Sequence, residues 1–420
     1  MVFKRDSELV VFDGAIGTEV QKRAPGISEN LTEILNLKQP ETIQGIHEDY
    51  LKAGADFLTT NTFSANEIRL DHSDYGDKLV EINEKGVQLA RKAIENCGRG
   101  KDELFVAGSI GPTGETLVPL GDSTFAEFYE VFYDQALALK NGGADWLIIE
   151  TMESLREAKA ALVAALEVDL PVISSLSYGE HGRTSYGVEP ASGAVTLDRM
   201  GCKVLAMNCG TGPAHYPKLI DIYRKFTDKP ILAEANAGTP ELKNEEVIYD
   251  LTPEEYLENL KPGLPYLSGV GSCCGSDPSF TKLLADAASE YEPEPKKTQI
   301  GKGKKYISNN STVLAVTEET DFTETEVGKG ELTNFTEKLE DDRVNMLNFT
   351  DISEPEEELE RKLARGFLRL RSGKPAGIVT DQPDLLKIFL MAYPGISPVR
   401  ATSNGSRIRK VAERYGGVLI

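Results

Sequence analysis

Gly269-Val270-Gly271-Ser272-Cys273-Cys274-Gly275, read together with Asn208-Cys209-Gly210, is the stretch from which the rest of the chain can be ordered. Neighbouring side chains on a regular strand point to opposite faces, so Cys273 and Cys274 meet at one point only where the backbone leaves strand geometry. Gly271 and Gly275 are the residues that permit such a turn. With Cys209, the pair makes a donor set suited to tetrahedral zinc with three protein ligands and one open position, the arrangement of catalytic rather than structural zinc. Three thiolates favour zinc over magnesium, calcium or manganese. The same residues also admit a strained disulfide between the neighbours, or three buried thiols packed as small hydrophobes.

Working outward, the glycine-framed run is the last of eight short apolar runs, predicted as strands at 9–14, 55–61, 105–110, 146–151, 172–177, 204–209, 231–236 and 266–273. Amphipathic stretches separate them, as at 78–97, where Leu79, Val80, Ile82, Val87, Leu89, Ala90, Ala93 and Ile94 form one apolar stripe. Such alternation predicts an α/β fold, and a (β/α)8 TIM barrel rather than an open doubly wound sheet. In that barrel the carboxyl ends of the strands carry the chemistry. Asp13, Asn61, Glu150, Cys209, Asn236 and the Cys273-Cys274 pair all fall there. For Asp13, Asn61 or Asn236 taken alone, capping of the next helix is the better reading. Seven polar groups on one rim point to a site, and cysteines from strands six and eight, which flank strand seven, favour zinc.

Composition bounds the rest. The net charge of -21, from 67 acidic against 46 basic residues, excludes nucleic acid or an anionic membrane surface as the main partner. Five unevenly spaced cysteines are no secreted disulfide framework, the N-terminal residues lack a signal-like apolar stretch, and no apolar run is long enough to span a bilayer. The expectation is a soluble, cytoplasmic protein. His47, His72, His181 and His215 have no paired metal spacing and are expected to pack or face solvent, and Gly269-Val270-Gly271 lacks the third glycine of a dinucleotide loop. Three parts are expected: the barrel over 1–291, a Pro-, Gly- and Lys-rich linker over 292–307, and a smaller, incomplete αβ domain over 308–420. The last shows strands at 313–317, 344–349, 376–380 and 417–420, a helix at 356–371, and an acidic, weakly apolar segment at 318–342 expected to be a mobile excursion.

Phe12-Asp13-Gly14-Ala15-Ile16-Gly17-Thr18, Thr60-Asn61-Thr62-Phe63, Gly111-Pro112-Thr113-Gly114-Glu115, Glu150-Thr151, Asn208-Cys209, Asn236-Ala237-Gly238 and Gly271-Ser272-Cys273-Cys274-Gly275 together resemble the homocysteine S-methyltransferase family. Within it, the likeness is to the homocysteine-binding N-terminal barrel of cobalamin-dependent methionine synthase. The resemblance implies zinc on Cys209, Cys273 and Cys274, and the amino-acid end of homocysteine held by Asp13, Glu150 and the backbone around Gly14 and Ala15. Asn61 and Asn236 are further expected substrate-positioning groups, and Asn208 is expected to support the zinc ligands. The reaction implied is methyl transfer to a zinc-activated homocysteine thiolate, forming methionine with no protein general base. The expected donor is methylcobalamin on a separate corrinoid protein; betaine or S-methylmethionine as donor, and a non-catalytic zinc scaffold, are the alternatives. Residues 308–420 resemble the first half of a pterin/folate-binding barrel, at Leu347-Asn348-Phe349, Asp381, Ala392-Tyr393-Pro394-Gly395 and Tyr415-Gly416-Gly417. About 115 residues cannot close an eight-stranded barrel, which takes about 250. Docking of the corrinoid partner, or a homodimer through this unit, is expected instead.

Overall fold

The computed structural model describes residues 9–24, 31–100, 103–239, 241–243, 246–291, 305–332, 334–339, 343–350, 352, 354–370, 373–402 and 405–420. Its first part is an eight-stranded parallel sheet built from β1 (Val10–Val11), β2 (Phe57–Thr59), β3 (Phe105–Ile110), β4 (Trp146–Met152), β5 (Val172–Leu176), β6 (Val204–Asn208), β7 (Ile231–Ala235) and β8 (Gly269–Ser272). The strands lie in the order β1-β8-β7-β6-β5-β4-β3-β2. A parallel bridge between Phe12 and Phe57 joins the two ends. Hydrogen bonds from Asp56 N–H to Val11 O (2.8 Å) and from Asp13 N–H to Phe57 O (3.1 Å) complete the seam. The TIM barrel predicted from the apolar runs is therefore the fold observed.

The barrel interior has two storeys, and the two-residue side-chain period of a strand creates both. Val10, Phe12, Phe57, Ala107, Trp146, Ile148, Ile173, Val204, Ala206 and Leu232 fill the lower one. Phe12 and Phe57 stack there with ring centroids 4.4 Å apart. One inward position further along β3 to β7 stand Ser109, Glu150, Ser175, Asn208 and Glu234, so an apolar floor carries a polar storey at the carboxyl end.

The second part begins with an antiparallel hairpin of β9 (Lys305–Ser308) and β10 (Val313–Val316). A five-stranded parallel sheet follows, β11 (Phe322–Val327), β12 (Val344–Phe349), β13 (Gly377–Val379), β14 (Ser397–Arg400) and β15 (Gly417–Leu419), adjacent in chain order. Helices Glu356–Phe367, Pro383–Ala392 and Ser406–Tyr415 connect its last four strands. Phe367 packs edge-on against Phe335, Phe389 and Tyr393 at 5.3, 5.1 and 5.1 Å.

Two sequence expectations are corrected here. The segment 318–342 is not a mobile excursion throughout: residues 322–327 form edge strand β11. Its β-branched Thr323, Thr325 and Val327 alternate with Glu324 and Glu326, which are exposed, and charged edge positions of this kind discourage pairing with other chains. Strand β14 and the helices Pro383–Ala392 and Ser406–Tyr415 were not anticipated. Of the expected linker 292–307, residues 292–304 lie outside the described residues and 305–307 belong to β9.

The barrel itself covers this second unit. Helix Leu155–Glu167 is buried from Leu155 to Ala165, on the side facing the strands and on the side facing away, because the C-terminal helices pack against it. Lys159 is fully buried and donates to the carbonyls of Leu390 (2.9 Å), Tyr393 (2.8 Å) and Gly395 (3.1 Å). Arg156 donates to Met391 O at 3.0 Å, to Val118 O, and to Glu360 Oε1 at 2.6 Å. Two cations of the barrel thus satisfy the free carbonyls at the end of helix Pro383–Ala392, where its dipole is negative. Among the described residues, no helix is long and apolar enough to cross a membrane.

Candidate metal centre and substrate cavity

The three cysteines predicted from the sequence converge. Their sulfurs lie within 4.8 Å of one another, with Cys209 Sγ and Cys274 Sγ 3.9 Å apart. Local backbone explains how. Cys209 follows β6 with φ of 57°, a left-handed conformation costly for a residue with a side chain, and Tyr216 Oη donates to its carbonyl at 2.9 Å. Past β8, Cys273 N–H donates to Ala235 O (2.7 Å), and Ala237 N–H donates to Cys274 O (2.9 Å). The chain then turns through Gly275 at φ of 83°, where the ring of Tyr249 occupies the space a side chain would need. Only Gly275 makes the turn. Gly271, expected to share that role, is a regular strand residue whose missing side chain leaves room for Phe12 and Glu234.

This donor set suits a soft divalent ion. Hydrogen bonding from the thiols of Cys209 and then Cys273, with Tyr249 assisting, holds the Cys274 thiol well below the usual thiol range, while the thiols of Cys209 and Cys273 are pushed up, so the three sulfurs share one negative charge. All five cysteines are free. The sulfurs of Cys209, Cys273 and Cys274 share one place at the barrel rim, and no disulfide joins them.

The cysteines open onto a cavity of about 380 Å³. Asp13, Gly14, Ala15, Asn61, Glu150, Asn208, Cys209, Cys273 and Cys274 all line it. Asn236 is buried beside this rim but is not a lining residue, and its Oδ1 has no hydrogen-bond partner. Asn61 is tied to the segment that precedes helix Pro40–Ala53 by donating to Thr32 O (3.0 Å) and Asn36 Oδ1 (3.1 Å), which fixes that segment against the cavity.

Asn208 anchors the polar storey. It donates to Glu150 Oε2 (3.1 Å) and Thr151 Oγ1 (2.8 Å), and accepts from Ser175 Oγ (2.7 Å) and Thr151 N–H (2.8 Å). Thr151 is held there at φ of 60°, a rare backbone state for a β-branched residue. Ser109 Oγ donates to the other Glu150 oxygen at 2.6 Å, and Thr59 N–H donates to Asp13 Oδ2 at 2.8 Å.

Sequence reasoning missed several cavity residues. Glu234 on β7 lines the cavity, as do Glu33, Arg69, Thr151 and Ser272. The alternation in Ile231-Leu232-Ala233-Glu234-Ala235 carried the signal for Glu234, an acidic residue at an inward position of a buried strand. Burial pushes Asp13 up to about 8 and Glu150 up to about 7. Glu234 is pushed well above the carboxylate range by burial, with Glu150 and Asp13 adding to the effect. A cationic group brought among these three carboxyls would favour their charged forms and lower all of them again.

Comparison with known proteins agrees with this geometry. The family model described as homocysteine S-methyltransferase matches residues 10–288. The methionine synthase of Mycobacterium tuberculosis (strain H37Rv) is 30% identical over 297 residues, covering 68% of this chain and 25% of that protein. That of Mycobacterium leprae is 30% identical over 294 residues, covering 67% and 24%. The chain spans about a quarter of the length of these curated relatives. Crystal structures of the homocysteine methyltransferase MmuM from Escherichia coli share the barrel fold: the metallated form has a TM-score of 0.56 at 23% identity, covering 68% of this chain and 97% of that one. The oxidized form gives 0.55 at the same identity and coverage.

Proposed function

Since the chain belongs to the homocysteine S-methyltransferase family, we propose that it transfers a methyl group to the sulfur of homocysteine, forming methionine, at a zinc ion held by Cys209, Cys273 and Cys274. The observation that carries this reading is the convergence of three cysteine sulfurs at the mouth of a cavity lined with carboxyl groups. Zinc on three thiolates supplies a Lewis acid that keeps a bound thiol deprotonated near neutral pH.

What the chain's own residues do follows from their contacts. Asp13 and Glu150 are aimed by Thr59, Ser109 and Asn208, and an ammonium group between them compensates the burial of two acids. Gly14 and Ala15 present backbone beside Asp13 to the rest of the amino acid. The apolar floor of Phe12, Ile148 and Leu232 keeps water from the far side of the substrate. Among the cavity residues, none has to act as a base, because the thiol has lost its proton on binding. Sulfur donates an electron pair to the methyl carbon, and the bond from that carbon to the donor breaks with its electrons leaving on the donor.

The methyl donor proposed is a methyl-corrinoid on a separate protein chain. This choice follows the likeness of the barrel's sequence motifs to those of cobalamin-dependent methionine synthase, and the unit over 308–420, packed beside the barrel, is the proposed docking element for that chain or for a second copy of this one. The test is methyl transfer to homocysteine by the zinc-loaded full chain, offered methylcobalamin, betaine and S-methylmethionine in turn. Methionine formed from methylcobalamin, and lost in Cys273→Ala, is the expected result. Turnover with betaine or S-methylmethionine alone would replace the corrinoid donor, and turnover unaffected by Cys273→Ala would overturn the zinc site's role.

A further inference from the structure

Glu234 has a side-chain environment unlike that of the two carboxyl groups it faces. Asp13 accepts a hydrogen bond from Thr59 N–H, and each Glu150 oxygen already accepts one, from Ser109 and from Asn208. Glu234 is 6% exposed, lines the cavity, and has no side-chain hydrogen bond or ion pair among the described residues. Space is reserved for it. Its strand neighbour across the sheet is Gly271, where an added Cβ would lie 3.0 Å from Glu234 Oε1 and 2.8 Å from Phe12 Cβ. A buried carboxyl that lacks a protein partner, in a gap kept open by a glycine and floored by an aromatic ring, is costly unless a ligand completes it.

We propose that Glu234 joins Asp13 and Glu150 around the ammonium group of the thiol substrate, and so makes the cavity select α-amino thiols over thiols that lack the amine. This rests on the homocysteine reading above. The chemistry requires a donor at Glu234: a primary ammonium offers three, one each for Asp13, Glu150 and Glu234. Glu150, whose oxygens each keep a further lone pair beside the bonds from Ser109 and Asn208, takes the third donor.

The experiment compares homocysteine with 4-mercaptobutyrate, the same thiol acid without its amine, by calorimetric binding to the zinc-loaded full chain. Wild type is expected to prefer homocysteine. Glu234→Gln, which keeps shape and loses charge, is expected to weaken homocysteine about 10- to 100-fold and to leave 4-mercaptobutyrate within about 3-fold. Zinc content and thermal midpoint, measured on the same samples, identify a folded, loaded variant. Equal weakening of both thiols, or no change in either, would overturn the assignment while leaving the homocysteine reading intact. Binding of neither thiol by wild type would overturn that reading and the assignment with it.

Discussion

Removing the Glu360 carboxylate tests how the two units are held together. Glu360 and Arg156 have side chains only 3% and 10% exposed. Glu360 Oε1 accepts from Arg156 Nη2 at 2.6 Å and from Phe125 N–H at 2.9 Å, the latter at the positive end of helix Phe125–Gly142. In Glu360→Ala the guanidinium keeps its two carbonyl acceptors but loses its counter-charge, and Phe125 N–H loses its acceptor. Breaking a buried pair by deleting one partner costs about 3–5 kcal/mol, and the orphaned N–H lies within that figure rather than beyond it. A loss of about 3 kcal/mol is expected in urea unfolding of the full chain, read as a lower midpoint at unchanged slope. Glu360→Gln, which still accepts from Phe125 N–H, should lose about half of that. Arg156→Met with Glu360→Leu should recover only the part owed to the unpaired charge, because Val118 O, Met391 O and Phe125 N–H still lack their partners. A loss under about 1 kcal/mol for Glu360→Ala, or a double variant no better than the worse single one, would refute this account of the interface.

Three further outcomes follow from the site. Asp13 and Glu150, raised by burial to about 8 and about 7, hold protons in the folded chain that they release when unfolded, so stability is highest below about pH 4 on their account and declines as pH rises through 7 to 8. Asp13→Asn should remove part of that decline, giving a higher thermal midpoint than wild type at pH 8 and none of that gain at pH 4, while weakening homocysteine; an equal shift at both pH values would contradict it. Gly275→Ala, at φ of 83° and against Tyr249, should cost about 1–3 kcal/mol and lower zinc occupancy on dialysis; full zinc retention at wild-type stability would show that the turn does not set the cysteine geometry. Asn208→Ala, which leaves Glu150, Thr151 and Ser175 each short of a partner, should destabilise by about 2–4 kcal/mol and weaken homocysteine binding, measured by unfolding and calorimetry; a change below about 0.5 kcal/mol would contradict the anchoring role.

The barrel was legible in the sequence because buried parallel strands read as short apolar runs, and the runs ending in Asp13, Glu150 and Cys209 marked one rim. Cys209, Cys273 and Cys274 could be grouped because strands six and eight flank strand seven. Glu234 was hidden by the same logic, since attention to strand ends passed over an inward residue one position short of the end. Gly271 was read as a turn residue, but its use is steric and depends on Phe12 and Glu234, which lie on other strands. In the second unit, the acidic character of Phe322–Val327 outweighed its two-residue alternation, although exposed glutamates on an edge strand fit both descriptions. Arg156 and Lys159 sit in an alanine-rich helix that is apolar nearly all round, a sign of burial on both sides that sequence alone does not assign to a partner element.

The most direct test of the central claim is zinc-edge X-ray absorption of the loaded full chain, with and without homocysteine. The account predicts a first shell of three sulfurs from Cys209, Cys273 and Cys274 that becomes four when homocysteine is added, with the three-sulfur shell lost in Cys209→Ala. A shell with fewer than three sulfurs, or a sulfur count that homocysteine leaves unchanged, would contradict it.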